Sequence, residues 1–238
     1  SKWYAFPQAP FPVTFLPRND VSRLEEIDER TAAVIVEPIQ GMAGAVALET
    51  GYLKALRRRC DDTGAVLIFD EVQSGVGRSG YYFACEAHGV TPDILTTAKA
   101  LAAGFPVGAV LATEEIASHA AMGSLGTTFG GGPMACALVA TVLDVIESEG
   151  LLANVRRLSE RIRATCRVGP VESIQGAGFL LGLRCRRPAA VVRDELLKQN
   201  ILVGTSADPS VVRLLPPLIL EEEHVDALAK ALEKVSPE

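Results

Sequence analysis

Cysteine chemistry is sparse in this chain. Its five cysteines (Cys60, Cys85, Cys136, Cys166 and Cys185) are scattered, odd in number and form no CxxC pair. Neither a disulfide framework nor a metal site is therefore expected. They read as small apolar fillers in a reducing compartment, and a cytoplasmic location is expected. Aromatic residues make up only 5% of the 238 residues, and no extended lysine or arginine run occurs. With a formal net charge of -6, a nucleic-acid partner is excluded as the default. No apolar run approaches the ~20 residues needed to span a bilayer, so no membrane partner is expected. The opening Ser1–Pro7 stretch also lacks the apolar core of a signal peptide. His88, His119 and His224 are isolated and fit no ligand spacing.

What the chain does have is enough apolar residues, 48%, for one large domain or two small ones. The proline- and aromatic-rich opening leads straight into Val13–Leu16, a candidate strand, and reads like the middle of a domain. A charged helix is expected from Asp20, its N-cap, to Arg30. Apolar runs then alternate with helical patterns: Ala32–Val36, a helix over 51–63 stopped by Gly64, and Ala65–Phe69. Such strands predict a mostly parallel sheet buried on both faces. Open sheets of this kind bind ligands beyond the carboxyl ends of their strands, and Glu37, Asp70 and Lys99 all fall at or near such ends.

Past Pro133 the character changes. A long apolar helix is expected over 133–149 and an amphipathic one over 151–167. A glycine-marked strand (178–183), a helix (189–199), strands at 201–203 and 211–215, and a last helix (221–235) follow. The expected division is 1–150, part of a large domain with its linking helix, and 151–238, a small α+β domain.

Asp70 ends an apolar strand, where an unpaired carboxylate is costly. It reads either as a cap on the following turn or as a fixed partner for a cationic group on a ligand. The GVGRSG stretch, Gly75–Gly80, matches GxGxxG but sits outside the strand–helix context and acidic spacing of a dinucleotide site. It reads as a loop requiring positive φ angles. Lys99 follows the run PDILTTA, and reads either as a snorkelling surface lysine or as an amine desolvated by small neighbours into a nucleophile.

Together, VIVEPIQG (34–41), LIFDEVQSGVGRSG (67–80), PDILTTAKAL (92–101), GTTFGGGP (126–133) and VVRLLPPL (211–218) resemble the class III pyridoxal-phosphate aminotransferases of acetylornithine/ornithine type. The resemblance covers nearly the whole chain and implies the fold-type I α/β architecture. It implies pyridoxal 5'-phosphate as cofactor, with Asp70 on the protonated ring nitrogen, Val72 packed on one ring face and Gln73 at the ring hydroxyl. Lys99 would be the Schiff-base lysine and proton shuttle. Thr128, assisted by Thr127, would reach the phosphate of a neighbouring subunit's cofactor, implying a homodimer with shared sites. Arg213 would meet the distal carboxylate or side chain of the substrate, a task suited to a guanidinium fork; read from its position alone it is equally a strand-end surface arginine.

The implied activity moves an amino group from acetylornithine, ornithine or a similar ω-amine to 2-oxoglutarate, as in arginine biosynthesis. The alternatives are a broader ω-amine:oxo-acid aminotransferase and a truncated, non-catalytic homologue. Met42 stands where many relatives carry a glutamate, and Gly132 where they carry an asparagine. Full members are longer, so the chain is expected to be the C-terminal portion of a longer product, leaving a strand edge and apolar surface exposed.

Overall fold

The computed structural model describes residues 11–128 and 130–237. Ser1–Pro7 and Phe129 of the GTTFGGGP stretch lie outside them. A 3-10 helix, Val21–Glu26, opens the regular structure, with the Asp20 carboxylate accepting from Ser22 N–H at 3.1 Å. Strand β1 (Ala33–Val36) follows, then a small hairpin of β2 (Ile39–Gln40) and β3 (Val46–Ala47). Helix α1 (Thr50–Thr63) leads to β4 (Val66–Asp70), and short α2 (Ala84–His88) to β5 (Ile94–Thr97). A 3-10 turn at Lys99–Ala102 precedes β6 (Ala109–Ala112) and α3 (Glu114–Ser118).

These strands pair in the order β1-β4-β5-β6, parallel except for antiparallel β6. Helix α1 buries Leu53, Leu56 and Cys60, a stripe at three- and four-residue spacing, against Leu67 and Phe69 of β4. Because side chains alternate along a strand, Ile68 and Asp70 point to the opposite face. Register places Ile35, Ile68 and Ile94 in one row, and Asp70, Thr96 and Val110 in the next.

The second half begins with α4 (Pro133–Ser148) and α5 (Leu151–Thr165). It continues through β7 (Val171–Ala177), β8 (Leu180–Cys185), α6 (Ala189–Leu197), β9 (Gly204–Thr205), β10 (Val211–Leu214) and α7 (Glu222–Glu233). Its sheet runs β7-β8-β10-β9, antiparallel throughout. Val155, Leu158 and Ile162 of α5 join Val192 and Leu196 of α6 and Val225 and Leu232 of α7 over Leu181, Leu183 and Val212. On its other face β8 sends Leu180 against Ile39 and Ala45, which seats the β2-β3 hairpin on the second sheet.

Several expectations are corrected. Val13–Leu16 is not a strand: Val13 and Phe15 are exposed, and among the described residues no neighbouring strand takes up their backbone groups. The helix from Asp20 is six residues of 3-10 helix and stops at Glu26, short of Arg30. The strand expected over 178–183 is a turn followed by β8, and β7 had gone unread. Ile201–Val203 is irregular, with Leu202 fully open to solvent on its outer side, and the pairing falls on Gly204–Thr205 instead. The first sheet is covered on one face only, since nothing among the described residues packs over Ile35 and Val110, which are 66% and 68% exposed.

Candidate functional site

The polar cluster forms because three parallel strands end at the same level. β1 delivers Glu37, β4 delivers Asp70, and β5 runs into Lys99 two residues beyond its end. Asp70 Oδ1 accepts from the Val72 N–H at 3.0 Å and from the Thr96 hydroxyl at 3.2 Å. Its Oδ2 has no hydrogen-bond partner among the described residues. The cap reading of Asp70 is therefore satisfied by one oxygen, and the other is free for a ligand.

Lys99 adopts a left-handed backbone (φ 53°), costly for a residue with a Cβ, at the entry to the 3-10 turn. The expected desolvation by small neighbours is corrected: Lys99 is exposed. The cause is the open sheet face, onto which its neighbours do not fold back.

Glu37 accepts from Gly41 N–H at 3.2 Å. Burial pushes its carboxyl up, against the pull of that N–H; Asp70 adds to the rise, while Lys99 and Arg213 oppose it. Three neighbouring charges thus act on Glu37 at this edge. Arg213, on β10 of the second sheet, arrives by way of the hairpin: its Nε donates to Thr205 O at 2.9 Å, and its Nη1 to Gly41 O at 3.3 Å and to Gln73 Oε1 at 3.4 Å. Burial pulls its guanidinium down, with Glu37 opposing. Val72 is half-buried beside Asp70.

Thr127 and Thr128 are not brought to this group. They lie exposed in the loop between α3 and α4, and no hydrogen bond links them to it among the described residues. The GVGRSG loop carries positive φ at Val76, Gly77 and Gly80, as expected of a loop. A cavity of about 330 Å³ beneath Ser79, Arg156, Arg163 and Gly178 is lined by none of the cluster residues.

Glu71 is a further residue of this region that the sequence reading does not single out. It is fully buried, yet its carboxylate accepts from Ala84 N–H at 2.6 Å, Cys85 N–H at 2.8 Å and Ser74 Oγ at 3.0 Å. Those bonds close the 72–83 loop on itself and so fix Val72 and Gln73. The signal available was alternation: if Asp70 faces the site, Glu71 points into the opposite layer. The cysteines form no disulfide; Cys60, Cys166 and Cys185 are buried, whereas Cys136 is exposed and is no core filler. Glu221, Glu223 and His224 lie close enough to share a cation, but all three are exposed and remote in sequence from the cluster. No helix among the described residues is long and apolar enough to cross a membrane.

The sequence profile of the class-III aminotransferases matches residues 5–235. Acetylornithine aminotransferase of Streptomyces coelicolor is 46% identical over 239 positions, covering 95% of this chain and 58% of the relative. That of Methanocaldococcus jannaschii is 42% identical over 233 positions, covering 94% and 58%. Ornithine aminotransferase of Toxoplasma gondii, whose crystals show partial occupancy of PLP at the active site, superimposes with a TM-score of 0.87 at 32% identity. That match covers 95% of this chain and 56% of the solved one. The chain spans somewhat more than half the length of the relatives it matches.

Proposed function

This chain belongs to the class-III aminotransferases and has their fold-type I α/β architecture, and from that premise we propose that the whole protein transfers an amino group from acetylornithine, ornithine or a similar ω-amine to 2-oxoglutarate, with pyridoxal 5'-phosphate as cofactor. The observation that carries the reading is the convergence of Asp70, Gln73, Lys99 and Arg213 at one sheet edge. The donor set fits the cofactor: a carboxylate oxygen without a partner, an amide, and an accessible amine. The bound cofactor supplies a cationic ring that withdraws electrons from the amine-bearing carbon of the substrate.

Each residue then has a task. Asp70 would hold the proton on the ring nitrogen, while Val72 N–H and Thr96 keep its Oδ1 in place. Val72 would pack on the ring and Gln73 would bind its hydroxyl. Lys99 would hold the cofactor through its amine, and its Nζ would carry a proton between positions on the substrate. Arg213 binds the distal carboxylate. Thr128, with Thr127, serves a partner's cofactor phosphate in a homodimer with shared sites, which accords with their distance from this chain's own cluster. A cytoplasmic role in arginine biosynthesis follows from the same reading. The two largest apolar clusters, one beside each sheet, support a division near residue 150, with smaller clusters joining the halves. Met42, an apolar side chain 41% exposed at the substrate edge, favours a second reading, an aminotransferase of broader ω-amine range.

Adding pyridoxal phosphate to the purified protein, reducing with borohydride and mapping peptides by mass spectrometry tests the proposal. A phosphopyridoxyl adduct on Lys99, lost in Lys99→Ala, is expected. Adducts scattered over surface lysines and unchanged by that substitution would overturn it.

A further inference from the structure

The cavity of about 330 Å³ away from the sheet edge lies where the two halves of the chain meet. Ser79 of the loop after β4 lines one side, Gly178 of the β7–β8 turn another, and Arg156, Glu160 and Arg163 of α5 a third. The last three share a helix face because they stand four and seven residues apart. Both arginines are positioned by neutral groups. Arg156 Nη1 donates to Gly80 O, and its guanidinium stands 5.6 Å from the centre of the Tyr81 ring. Gly80 permits that approach, since a Cβ there would lie 2.7 Å from Arg156 Cγ. Arg163 donates from Nη1 to Ile174 O at 3.1 Å and from Nη2 to Gly176 O at 2.6 Å. Glu160 is the acid among the lining residues, largely exposed and 3.8 Å from Arg163 Nε, so two positive charges face one negative. Ser159 spends its hydroxyl on Arg156 O at 2.9 Å. Ser79 does not: it is 6% exposed, and its Oγ has no hydrogen-bond partner among the described residues. A buried hydroxyl left without a partner is rare and destabilising.

We propose that this cavity is a binding site for the phosphoryl group of a small anion, separate from the sheet-edge cluster and independent of the reaction assigned to it. Guanidinium groups suit a phosphoryl oxyanion because they offer paired, charge-assisted donors in a plane. The Ser79 hydroxyl adds a donor that the folded chain leaves unused. Carbonyl and ring contacts hold the arginines in place beforehand, so less side-chain freedom is lost on binding. The volume lies at the lower end of the range for ligand pockets, which suits a small metabolite. An occupant touches the Gly75–Gly80 loop of the first half and α5 of the second together, and so stabilises their seated arrangement.

The test is calorimetric titration of the whole protein, cofactor-loaded and freed of unbound cofactor, with inorganic phosphate and with glycerol 3-phosphate. Both should bind, and the tighter of the two shows whether the site is built for the free ion or for a phosphorylated metabolite. Ser79→Ala should weaken binding by about tenfold. Without added anion it should melt no lower than the parent, because it removes a hydroxyl that has nothing to bond. Arg156→Gln should weaken binding further. Glu160→Gln should tighten it by about threefold at low salt, a gain that misfolding does not produce. No binding of either anion to the parent, or binding that survives both Ser79→Ala and Arg156→Gln, overturns the site. Binding lost in Arg213→Gln but kept in those two variants puts the anion at the sheet-edge cluster; it overturns this site and leaves the reading of that cluster standing.

Discussion

The two sheets of this chain are finished to different degrees. The second is enclosed: Leu181, Leu183, Val211 and Val212 are fully buried, with α5, α6 and α7 over one face and the β2-β3 hairpin on the other. The first has α1 on one face and an open opposite face, where Ile35 and Val110 are 66% and 68% exposed. Every candidate site residue except Arg213, Thr127 and Thr128 belongs to the strands of the first sheet or to the loops that follow them. Both halves have an apolar core, and the site-bearing half adds buried polar ties such as those of Glu71. Chemistry needs access, and access leaves fewer apolar contacts to share the work.

Leu158→Ala, in the enclosed core, should have the largest effect, about 4 kcal/mol in chemical denaturation. Val110→Ala on the open face should stay within about 0.5 kcal/mol. Equal costs would break the contrast. Glu71→Ala should come next, at about 3 kcal/mol, because it strands two buried N–H groups. Glu71 also sharpens the contrast through pH. Burial raises its pKa in the folded chain above the ordinary 4.5, so its contribution is present below that value and is lost as pH rises through the raised one. Glu71→Gln cannot ionise, so the parent should lose stability relative to it on going upward from acid; parallel melting curves at all pH values would refute this.

A smaller electrostatic effect belongs to the second half. Hydrogen bonds from Ser210, then Arg184, hold Asp208 down to about 2. Its folded pKa is depressed, so its stabilisation is present at neutral pH and disappears as pH falls from the ordinary aspartate range through about 2. Asp208→Asn should cost less than about 1 kcal/mol at neutral pH, because the partners are partly exposed, and nothing in strong acid.

The long helices were legible because their apolar residues recur at helical spacing, as Val155, Leu158 and Ile162 do. The parallel strands were legible as β-branched runs. Pairing was not legible: Val13–Leu16 and Ile201–Val203 have strand composition but no partner, while β7, reading VESIQGA, has a partner without strand composition. Asp70, Lys99 and Glu37 could be placed because strand ends mark a sheet edge. The exposure of Lys99, the carbonyls that hold Arg213 and the burial of Glu71 depend on which face is covered, a property of packing between distant segments.

The seam between the two sheets includes close main-chain contacts. Phe179 N–H donates to Arg78 O at 2.8 Å, and a Cβ on Gly178 would lie 2.4 Å from that oxygen. A Cβ on Gly182 would meet Gly44 O at 2.2 Å. Recombination therefore faces a constraint that overall likeness does not capture. A donor segment grafted in place of 151–238 can differ across most of its surface, but it has to bring glycine at these two points. Without them the graft can fold and still fail to seat Arg213 beside Gln73.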